Sequence, residues 1–334
     1  AQITTVLMFY IDAGMVGSLG AEPAAAIGLV EPATWLFFSL IGAVTMGFSV
    51  QAAHFIGAKD FSKARSVMRH GYAFGLCFAL CFLLVTVLIA PYLPIWLRGG
   101  KDIQHDASTY FLIFSFIIPF HLLEVMSASM LKVSGDMRRP SLMAILMCVL
   151  DVIFNYFFIF PTHDITLLGL QVTMPGLGAG VAGAAFGSLL AFIAVALPLA
   201  YYAIFRSPIL AWKLDVERFV WRWQYIWNAM KIGSPMALQY LLMNGAQLVS
   251  TMIVAPLGNV SIAAHSFAIT AESLCYMPGY GISEAATTLV GQSVGAGRRD
   301  LHRSFAWMTI FLGMLVMAFM GVIMYIFAPE MIGL

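Results

Sequence analysis

The chain has 334 residues, of which 61% are hydrophobic and only 10% are charged. An ordinary soluble domain has about 45–50% apolar residues, so this chain has too little polar surface to cover a water-soluble globule. Its net charge of +1 gives no electrostatic basis for binding nucleic acid, and we expect no such partner. The composition favours a protein that is surrounded by membrane lipids.

Apolar stretches long enough to cross a bilayer recur along the whole sequence. They predict an all-α polytopic membrane protein with nine helices, in chain order at 1–18, 26–57, 70–97, 108–131, 141–161, 178–205, 232–256, 261–294 and 304–328. We expect kinks at Pro119, Pro235 and Pro278, where neighbouring helices can satisfy the freed carbonyls. Because the chain begins inside an apolar run at Ala1, we also expect further sequence upstream.

The basic residues predict the orientation in the membrane. Of the seventeen Lys and Arg residues, only Arg98 and Lys101 lie outside the connections that follow the second, fourth, sixth and eighth predicted helices. Basic residues collect on the cytoplasmic side, which makes four loops cytoplasmic, namely 59–69, 132–140, 206–231 and 297–303. The stretch 206–231 mixes arginine with four tryptophans, which is typical of a segment lying in the membrane interface.

An internal repeat at an offset of 238 residues divides the chain. Three short matches share this offset: Leu19-Gly20 with Leu257-Gly258, Ala25-Ala26 with Ala263-Ala264, and Gly57-Ala58 with Gly295-Ala296. The first unit holds six predicted helices, so both units enter the membrane from the same face. We therefore predict two pseudo-symmetric lobes, an amino-terminal lobe at 1–205 (helices one to six) and a partial carboxyl-terminal lobe at 232–334 (helices seven to nine), joined by a cytoplasmic linker at 206–231.

Acidic residues occur inside the predicted helices, whereas no Lys or Arg does. There are six of them: Asp12, Glu31, Glu124, Asp151, Glu272 and Glu284. A charged side chain near the bilayer centre costs about 2.5–3.5 kcal/mol on insertion scales. Without a basic partner, such an acid takes a proton, binds a metal cation or meets a cationic substrate. The pattern therefore indicates a transporter that handles cations.

Asp12 and Asp151 are the best placed of these acids. Asp12 lies well inside the first predicted helix, and Asp151 lies in the middle of the fifth, with Asn155 one turn later on the same face. Two carboxylates and a carboxamide from different helices could form an oxygen-rich pocket. Repulsion between the carboxylates would favour keeping an exchangeable proton on one of them. The alternative for each acid is a protonated side chain that is only hydrogen-bonded within the fold.

The other acids are secondary candidates. Glu124 could serve as a second relay acid, and Glu272 and Glu284 lie twelve residues apart in a helix that we expect to be kinked. Glu31 precedes Pro32 near the start of a predicted helix, where facing the lipid headgroups is favoured over a functional role.

Several motifs are spread collinearly along the chain. They are Asp12–Gly20 in the first predicted helix, Leu131–Pro140 before the fifth, Ile232–Pro235 at the start of the seventh, and Val254–Gly258, Ala263–His265 and Leu289–Gln292 in the seventh and eighth. Together they resemble the multidrug and toxic compound extrusion (MATE) family. The resemblance implies twelve helices in two six-helix lobes with a V-shaped cavity between them, of which helices ten to twelve are absent from this sequence.

The resemblance also implies a function. Members of this family are not enzymes. They export small, mostly cationic drugs and toxic compounds across the bacterial inner membrane, in exchange for inward H⁺ or Na⁺. The coupling ion would then be the only cofactor. The partners would be small organic cations and membrane lipids, and we expect a monomer.

The resemblance places the amino-lobe cation site on four residues: Asp12, Asp151, Asn155 and Ser188. Sodium, if it is the ion, would bind at Asp12, Asp151 and Asn155. Many members carry a second acid in the seventh helix, where this chain has Met243, with Asn244 beside it as a secondary candidate. That departure moves the expected ion site to the amino-terminal lobe and favours H⁺ over Na⁺.

The main alternative is a lipid-linked oligosaccharide flippase with a related two-lobe fold. Such a protein should carry a basic cavity for pyrophosphate, whereas no Lys or Arg falls in a predicted helix. An intramembrane enzyme is disfavoured because no catalytic set or zinc spacing stands out. A non-transporting receptor is disfavoured by the repeat and the unpaired acids.

Overall fold

The structure, a computed structural model, describes Met8, residues 11–12, and the ranges 14–167, 170–214 and 220–332. The described residues up to position 17 are helical, Ser18 lies in a turn, and the other residues of the first predicted helix lie outside the described residues. Most of the described chain is α-helical, which confirms the predicted all-α membrane class.

Ten further helices lie within the described residues. They are α1 Ala21–Gly57, α2 Phe61–Ile89, α3 Leu93–Trp96, α4 Gln104–Ser115, α5 Ile117–Val133, α6 Arg138–Ile159, α7 Gly180–Tyr201, α8 Trp223–Val254, α9 Asn259–Gly295 and α10 Arg299–Ile332. Short irregular helical turns occur at Tyr202–Arg206, Trp212–Leu214 and Ala255–Leu257.

A β-hairpin between α6 and α7 was not predicted. Its strands, β1 Pro161–Leu167 and β2 Leu170–Leu177, pair antiparallel, with His163 opposite Met174 and Leu167 opposite Leu170. The hairpin occupies the connection between the fifth and sixth predicted helices, and the segment carries threonine, valine and isoleucine, which favour strands.

Six described helices are long and apolar enough to cross a membrane, and the bent pair α4 and α5 adds a seventh if it is counted as one span. The six are α1, α2, α6, α7 with its irregular extension, α8 with its extension, and α10. The protein is therefore a multi-pass membrane protein, while the count of nine spans stays a prediction.

Several helices begin earlier than their apolar runs indicate. α1 starts at Ala21 instead of 26, α2 at Phe61 instead of 70, and α8 at Trp223 instead of 232. At α2 the reason is a cap, because the Asp60 side chain accepts a hydrogen bond from the Lys63 backbone N–H at 3.1 Å. An apolar run marks the part of a helix that lies within the membrane, and the helix itself continues beyond it.

The bend between α4 and α5 measures 44° and is consistent with the kink predicted at Pro119. The break falls at Phe116, because Pro119 has no N–H to donate to the carbonyl of Ser115 one turn earlier. By contrast, α8 and α9 remain helical through Pro235 and Pro278.

α1 and α9 are the two copies of the internal repeat. Each has 37 residues, and each begins after a glycine of positive φ, Gly20 at 119° and Gly258 at 103°. The two helices also contact each other at equivalent positions. A Cβ on Gly28 would lie 2.6 Å from the Cβ of Ser266, and one on Gly291 would lie 2.8 Å from the Cβ of Ala53. Equivalent residues of the two copies can touch only near the pseudo-two-fold axis that relates the copies. This axis therefore runs between α1 and α9, along the direction of both helices.

More than half of the residues of α1 are buried, and the helix packs against α2, α5, α8 and α9. One apolar core forms where it meets α2, α5 and α7, around Phe48, Met68 and Met126. In the described part of the linker, Arg69 on α2 donates a hydrogen bond to the carbonyl of Trp212 at 2.8 Å. The described residues of the linker are thereby attached to α2.

Candidate functional site

The two larger cavities in the described part of the chain lie inside the helical bundle. The first, about 100 Å³ in volume, is lined by Asp12, Glu31 and Asn155 among others, and we call it the acidic cavity. The second, about 300 Å³, lies between α1, α5, α8 and α9, and we call it the central cavity. Trp35 of α1 lines both cavities and therefore forms part of the wall between them.

A hydrogen-bonded cluster of polar residues lies at the acidic cavity. The Nδ2 atom of Asn155 donates to Asp12 Oδ1 at 2.9 Å and to Asp151 Oδ2 at 3.1 Å. The two carboxyl groups also interact directly, and Ser188 of α7 interacts with Asp151. Asp151 and Asn155 are each only 1% exposed. All four residues predicted to hold the coupling ion are thus brought together, and we call them the ion cluster.

A close approach of two helices builds this cluster. A side chain on Gly187 of α7 would overlap Asn155, and one on Gly183 would overlap the carbonyl of Phe158. Glycines four residues apart lie on one face of α7 and allow its backbone to pack directly on α6. Small residues commonly permit such close contacts between membrane helices. The Gly-x-x-x-Gly spacing of Gly183 and Gly187 is visible in the sequence and is the signal that could have indicated this contact.

The ion cluster offers oxygen ligands. Two of its buried atoms, Asp151 Oδ1 and Asn155 Oδ1, have no hydrogen-bond partner among the described residues. Carboxylate, amide and hydroxyl oxygens are the donors that hard cations prefer, and a carboxylate oxygen also accepts a proton. The donor set therefore fits H⁺ or Na⁺. No group of three or more His, Cys, Asp or Glu side chains in the described residues could hold a metal ion, so the cluster depends on its neutral ligands.

Glu31 does not face the headgroups, and that expectation was wrong. It lines the acidic cavity, where its Oε2 accepts a hydrogen bond from the Ser266 hydroxyl at 2.8 Å and its Oε1 accepts one from the Trp35 indole at 3.4 Å. The error came from the start of α1, because the helix begins well before Glu31 and carries it into the bundle.

Glu284 is not an unpaired acid, and this expectation was also wrong. Lys132 in the last turn of α5 forms an ion pair with it at 2.5 Å, and both residues line the central cavity. The central cavity therefore contains a lysine, whereas the sequence predicted no Lys or Arg within the membrane-spanning helices. Its charge is neutralised by Glu284, so the basic surface expected of a flippase is not formed there.

The remaining secondary candidates lie outside the ion cluster. Glu124 is on α5 with His121 at 3.9 Å, and no residue of α5 lines the acidic cavity. Glu272 is exposed and lines neither cavity. Asn244 is buried beside the central cavity and donates a hydrogen bond to the Ser39 hydroxyl at 3.2 Å.

The central cavity is closed at the end of the bundle where α1, α5 and α9 finish, which we call the basic end. In addition to the Lys132–Glu284 pair, the Gln292 side chain donates to the carbonyl of Val133 at 2.7 Å. Beyond this bond, Gly57 of α1 packs directly on the backbone of Gln292. Access to the central cavity from this side therefore requires these contacts to separate.

Comparisons with known proteins give a consistent result. The MatE family model matches residues 1–157 and 235–334. A relative described as a probable multidrug resistance protein NorM, from Thermotoga maritima, is 25% identical over 99% of this chain and 68% of its own length. Another of the same description, from Burkholderia pseudomallei, is 26% identical over all of this chain and 68% of its own.

Solved structures show the same fold. An outward-facing multidrug resistance MATE transporter superposes with a TM-score of 0.85 at 21% identity, over 98% of this chain and 69% of the other. An inward-facing structure of such a transporter gives 0.76 at 20% identity, over 99% of this chain and 71% of the other. At these identities the likeness shows the fold alone.

Proposed function

The chain belongs to the MatE family of multidrug and toxic compound extrusion transporters, and we propose that it is an antiporter that exports small, mostly cationic compounds in exchange for H⁺ or Na⁺. The observation that supports this proposal is the ion cluster, in which Asn155 joins two buried carboxylates from two different helices. No Lys or Arg among the described residues lines the acidic cavity, so a mobile cation is the natural partner for this charge.

The hydrogen bonds suggest how an ion could act on the fold. Asp12 belongs to the first helix, whereas Asp151 and Asn155 belong to α6. An H⁺ or Na⁺ at the cluster neutralises the carboxylates and weakens the hold of Asn155 on Asp12. The first helix is then free to shift against α6, which would narrow the acidic cavity and expel a bound substrate.

We favour H⁺ as the coupling ion. The two carboxyl groups interact directly, and a shared proton removes their mutual repulsion without requiring further ligands. The position at which many members have a second acid is Met243, which leaves the ion cluster as the coupling site.

Alternating access would occur about the pseudo-two-fold axis between α1 and α9. We propose that the chain forms two lobes, 1–205 and 232–334, which the linker 206–231 joins. The lobes separate at the basic end of the bundle when they close at the opposite end. By the positive-inside rule, the basic end faces the cytoplasm of a bacterial inner membrane. The relatives named as multidrug resistance proteins support a broad range of substrates.

The experiment is export of a fluorescent cationic dye from proteoliposomes, under a proton gradient and separately under a sodium gradient. We expect gradient-dependent export by the wild type and at least a tenfold loss in Asp12→Asn. Glu22→Gln is the control, because Glu22 is an exposed acid on α1. Full export by Asp12→Asn would contradict the assignment. Transport of a lipid-linked oligosaccharide in place of the dye would support the flippase alternative.

A further inference from the structure

We propose that Glu31 is the carboxylate that binds the positive end of the substrate, and that the acidic and central cavities together form a site for an amphiphilic organic cation. In this arrangement a compact cationic head occupies the acidic cavity, and an apolar body extends into the central cavity. The inference rests on the proposed function, since it assigns a substrate-binding residue within the same transporter.

The lining of the acidic cavity is suited to an organic cation. Among the described residues that line it, six carry aromatic rings: Trp35, Phe38, Tyr110, Phe114, Phe192 and Phe267. The faces of such rings attract ammonium and pyridinium groups, and the attraction is stronger where water is excluded. A hydrated metal ion gains little from these rings, whereas an alkylated or aromatic cation gains both ring contacts and apolar burial.

Glu31 supplies the charge for this cation separately from the ion cluster. The hydrogen-bond donors that reach its carboxylate, Trp35 and Ser266, are both neutral. No positively charged side chain among the described residues pairs with Glu31, whereas the Asp12 carboxylate already accepts a hydrogen bond from Asn155. Two acids in one cavity, held by different partners, can bind two different cations.

The size of the acidic cavity limits what can enter it. A volume of about 100 Å³ admits a head group or a single ring but not a whole drug-sized molecule. Trp35 lines both cavities, so a molecule that passes its side chain reaches a further volume of about 300 Å³.

The central cavity is suited to an apolar body. It is lined by Met46, Met236, Met243 and Met277 together with three tyrosines. Methionine side chains adapt to different apolar shapes. A fixed charged end and an adaptable apolar end together explain how one site could accept many amphiphilic cations.

Glu31 also lies at the contact between the two copies of the repeat. Its partner Ser266 is on α9 and packs against Gly28 one turn before Glu31 on α1. A cation that draws the Glu31 carboxylate into the cavity competes with this hydrogen bond. Binding of the substrate would therefore weaken a link between α1 and α9, which are the helices that meet at the pseudo-two-fold axis.

The test compares two dyes that differ only by one N-methyl group and the positive charge that it brings, a styrylpyridinium cation and its uncharged parent styrylpyridine. Their equilibrium binding to purified protein is measured without any gradient, for wild type, Glu31→Gln and Glu22→Gln. Glutamine keeps an oxygen acceptor for Ser266 but removes the charge. We expect Glu31→Gln to weaken binding of the cation at least tenfold, and to change binding of the neutral dye less than twofold.

The exposed control Glu22→Gln should bind both dyes as the wild type does. Unchanged affinity of Glu31→Gln for the cation, or an equal loss for both dyes, would overturn the inference, since the latter means that Glu31 only supports the packing. Equal affinity of the wild type for both dyes would overturn it as well. None of these results depends on ion coupling, which the transport assay with Asp12→Asn decides separately.

Discussion

Gly57 and Gly295 make reciprocal contacts across the pseudo-two-fold axis of the bundle. Gly57 packs on the backbone carbonyl of Gln292, and Gly295 packs on that of His54, so each contact is the repeat image of the other. A Cβ at either glycine would lie well inside the van der Waals distance to that carbonyl. The basic end of the bundle is therefore closed by backbone-to-backbone packing that only glycine permits.

Gly295→Ala should force α1 and α9 apart at the basic end. Overpacking of a tight contact costs about 1–3 kcal/mol, so we expect a lower melting temperature of the detergent-solubilised protein. Gly245→Ala is the matched control, because a Cβ there meets nothing within 4 Å and alanine is the better helix former. An unchanged melting temperature for Gly295→Ala would show that the helices are not in this contact.

Gly187→Ala should impair transport by displacing Asn155 from the two carboxylates. The added methyl group would occupy the space of the Asn155 amide, so the hydrogen bonds to Asp12 and Asp151 could not both persist. We expect export to fall at least tenfold, with the protein still inserted in the membrane. Gly321→Ala on α10, which also meets nothing within 4 Å, should export normally. Normal export by Gly187→Ala would mean that Asn155 is not needed in this position.

The sequence made much of the ion cluster predictable. Asp12 and Asp151 were predictable because acidic residues inside membrane helices are costly and therefore rare. Asn155 followed from its position one turn after Asp151 on the same helix face. Ser188 came from the family resemblance alone. The repeat predicted that α1 and α9 are equivalent. The matching residues at a constant offset fall at the beginning and at the end of each of these two helices.

What the sequence could not supply were contacts between distant segments. The Lys132–Glu284 pair joins residues 152 positions apart, and Lys132 lies in a helix turn beyond the apolar run. Glu31 was misplaced because α1 begins earlier than its apolar run indicates, and its contact with Ser266, 235 positions away, is not visible in the sequence. Periodicity fixes which residues share a helix face, but not which neighbour that face meets.

Breaking the Lys132–Glu284 ion pair should loosen the closed basic end. Glu284→Gln leaves Lys132, whose side chain is 14% exposed, without its partner in the central cavity. We expect faster labelling of a cysteine introduced at Ser129, which lines this cavity, by a membrane-impermeant maleimide added on the basic side. The exchanged pair Lys132→Glu with Glu284→Lys should restore slow labelling. Equal labelling rates in all variants would contradict a gating role.

Asp60 should make the stability of α2 depend on pH at the basic end. Its hydrogen bonds with Lys63 hold the pKa of the Asp60 carboxyl below its usual value. A lowered pKa in the folded protein means that the stabilisation is present above the unfolded pKa of about 3.9 and is lost as the pH falls through the folded value. Asp60→Ala should cost about 0.5–2 kcal/mol at neutral pH, measured by unfolding, through loss of the helix cap.

Asp60→Asn separates the cap from the charge. Asparagine caps helices about as well as aspartate, so this variant should unfold like the wild type at neutral pH. Its free energy of unfolding should lack the part of the pH dependence that the Asp60 carboxyl contributes in the wild type. If Asp60→Ala were as stable as the wild type, the capping role of Asp60 would be wrong.

The assignment of proton coupling to the ion cluster is tested most directly by measuring whether an outward flow of substrate drives protons inward. Proteoliposomes are loaded with a cationic substrate and a trapped pH indicator, with no initial pH difference, and diluted into substrate-free buffer. We predict that the interior acidifies with wild-type protein and with Glu22→Gln, and that it does not with Asp12→Asn or Asp151→Asn. Acidification at the wild-type rate in both neutralised variants would contradict the assignment of the coupling site to these two acids.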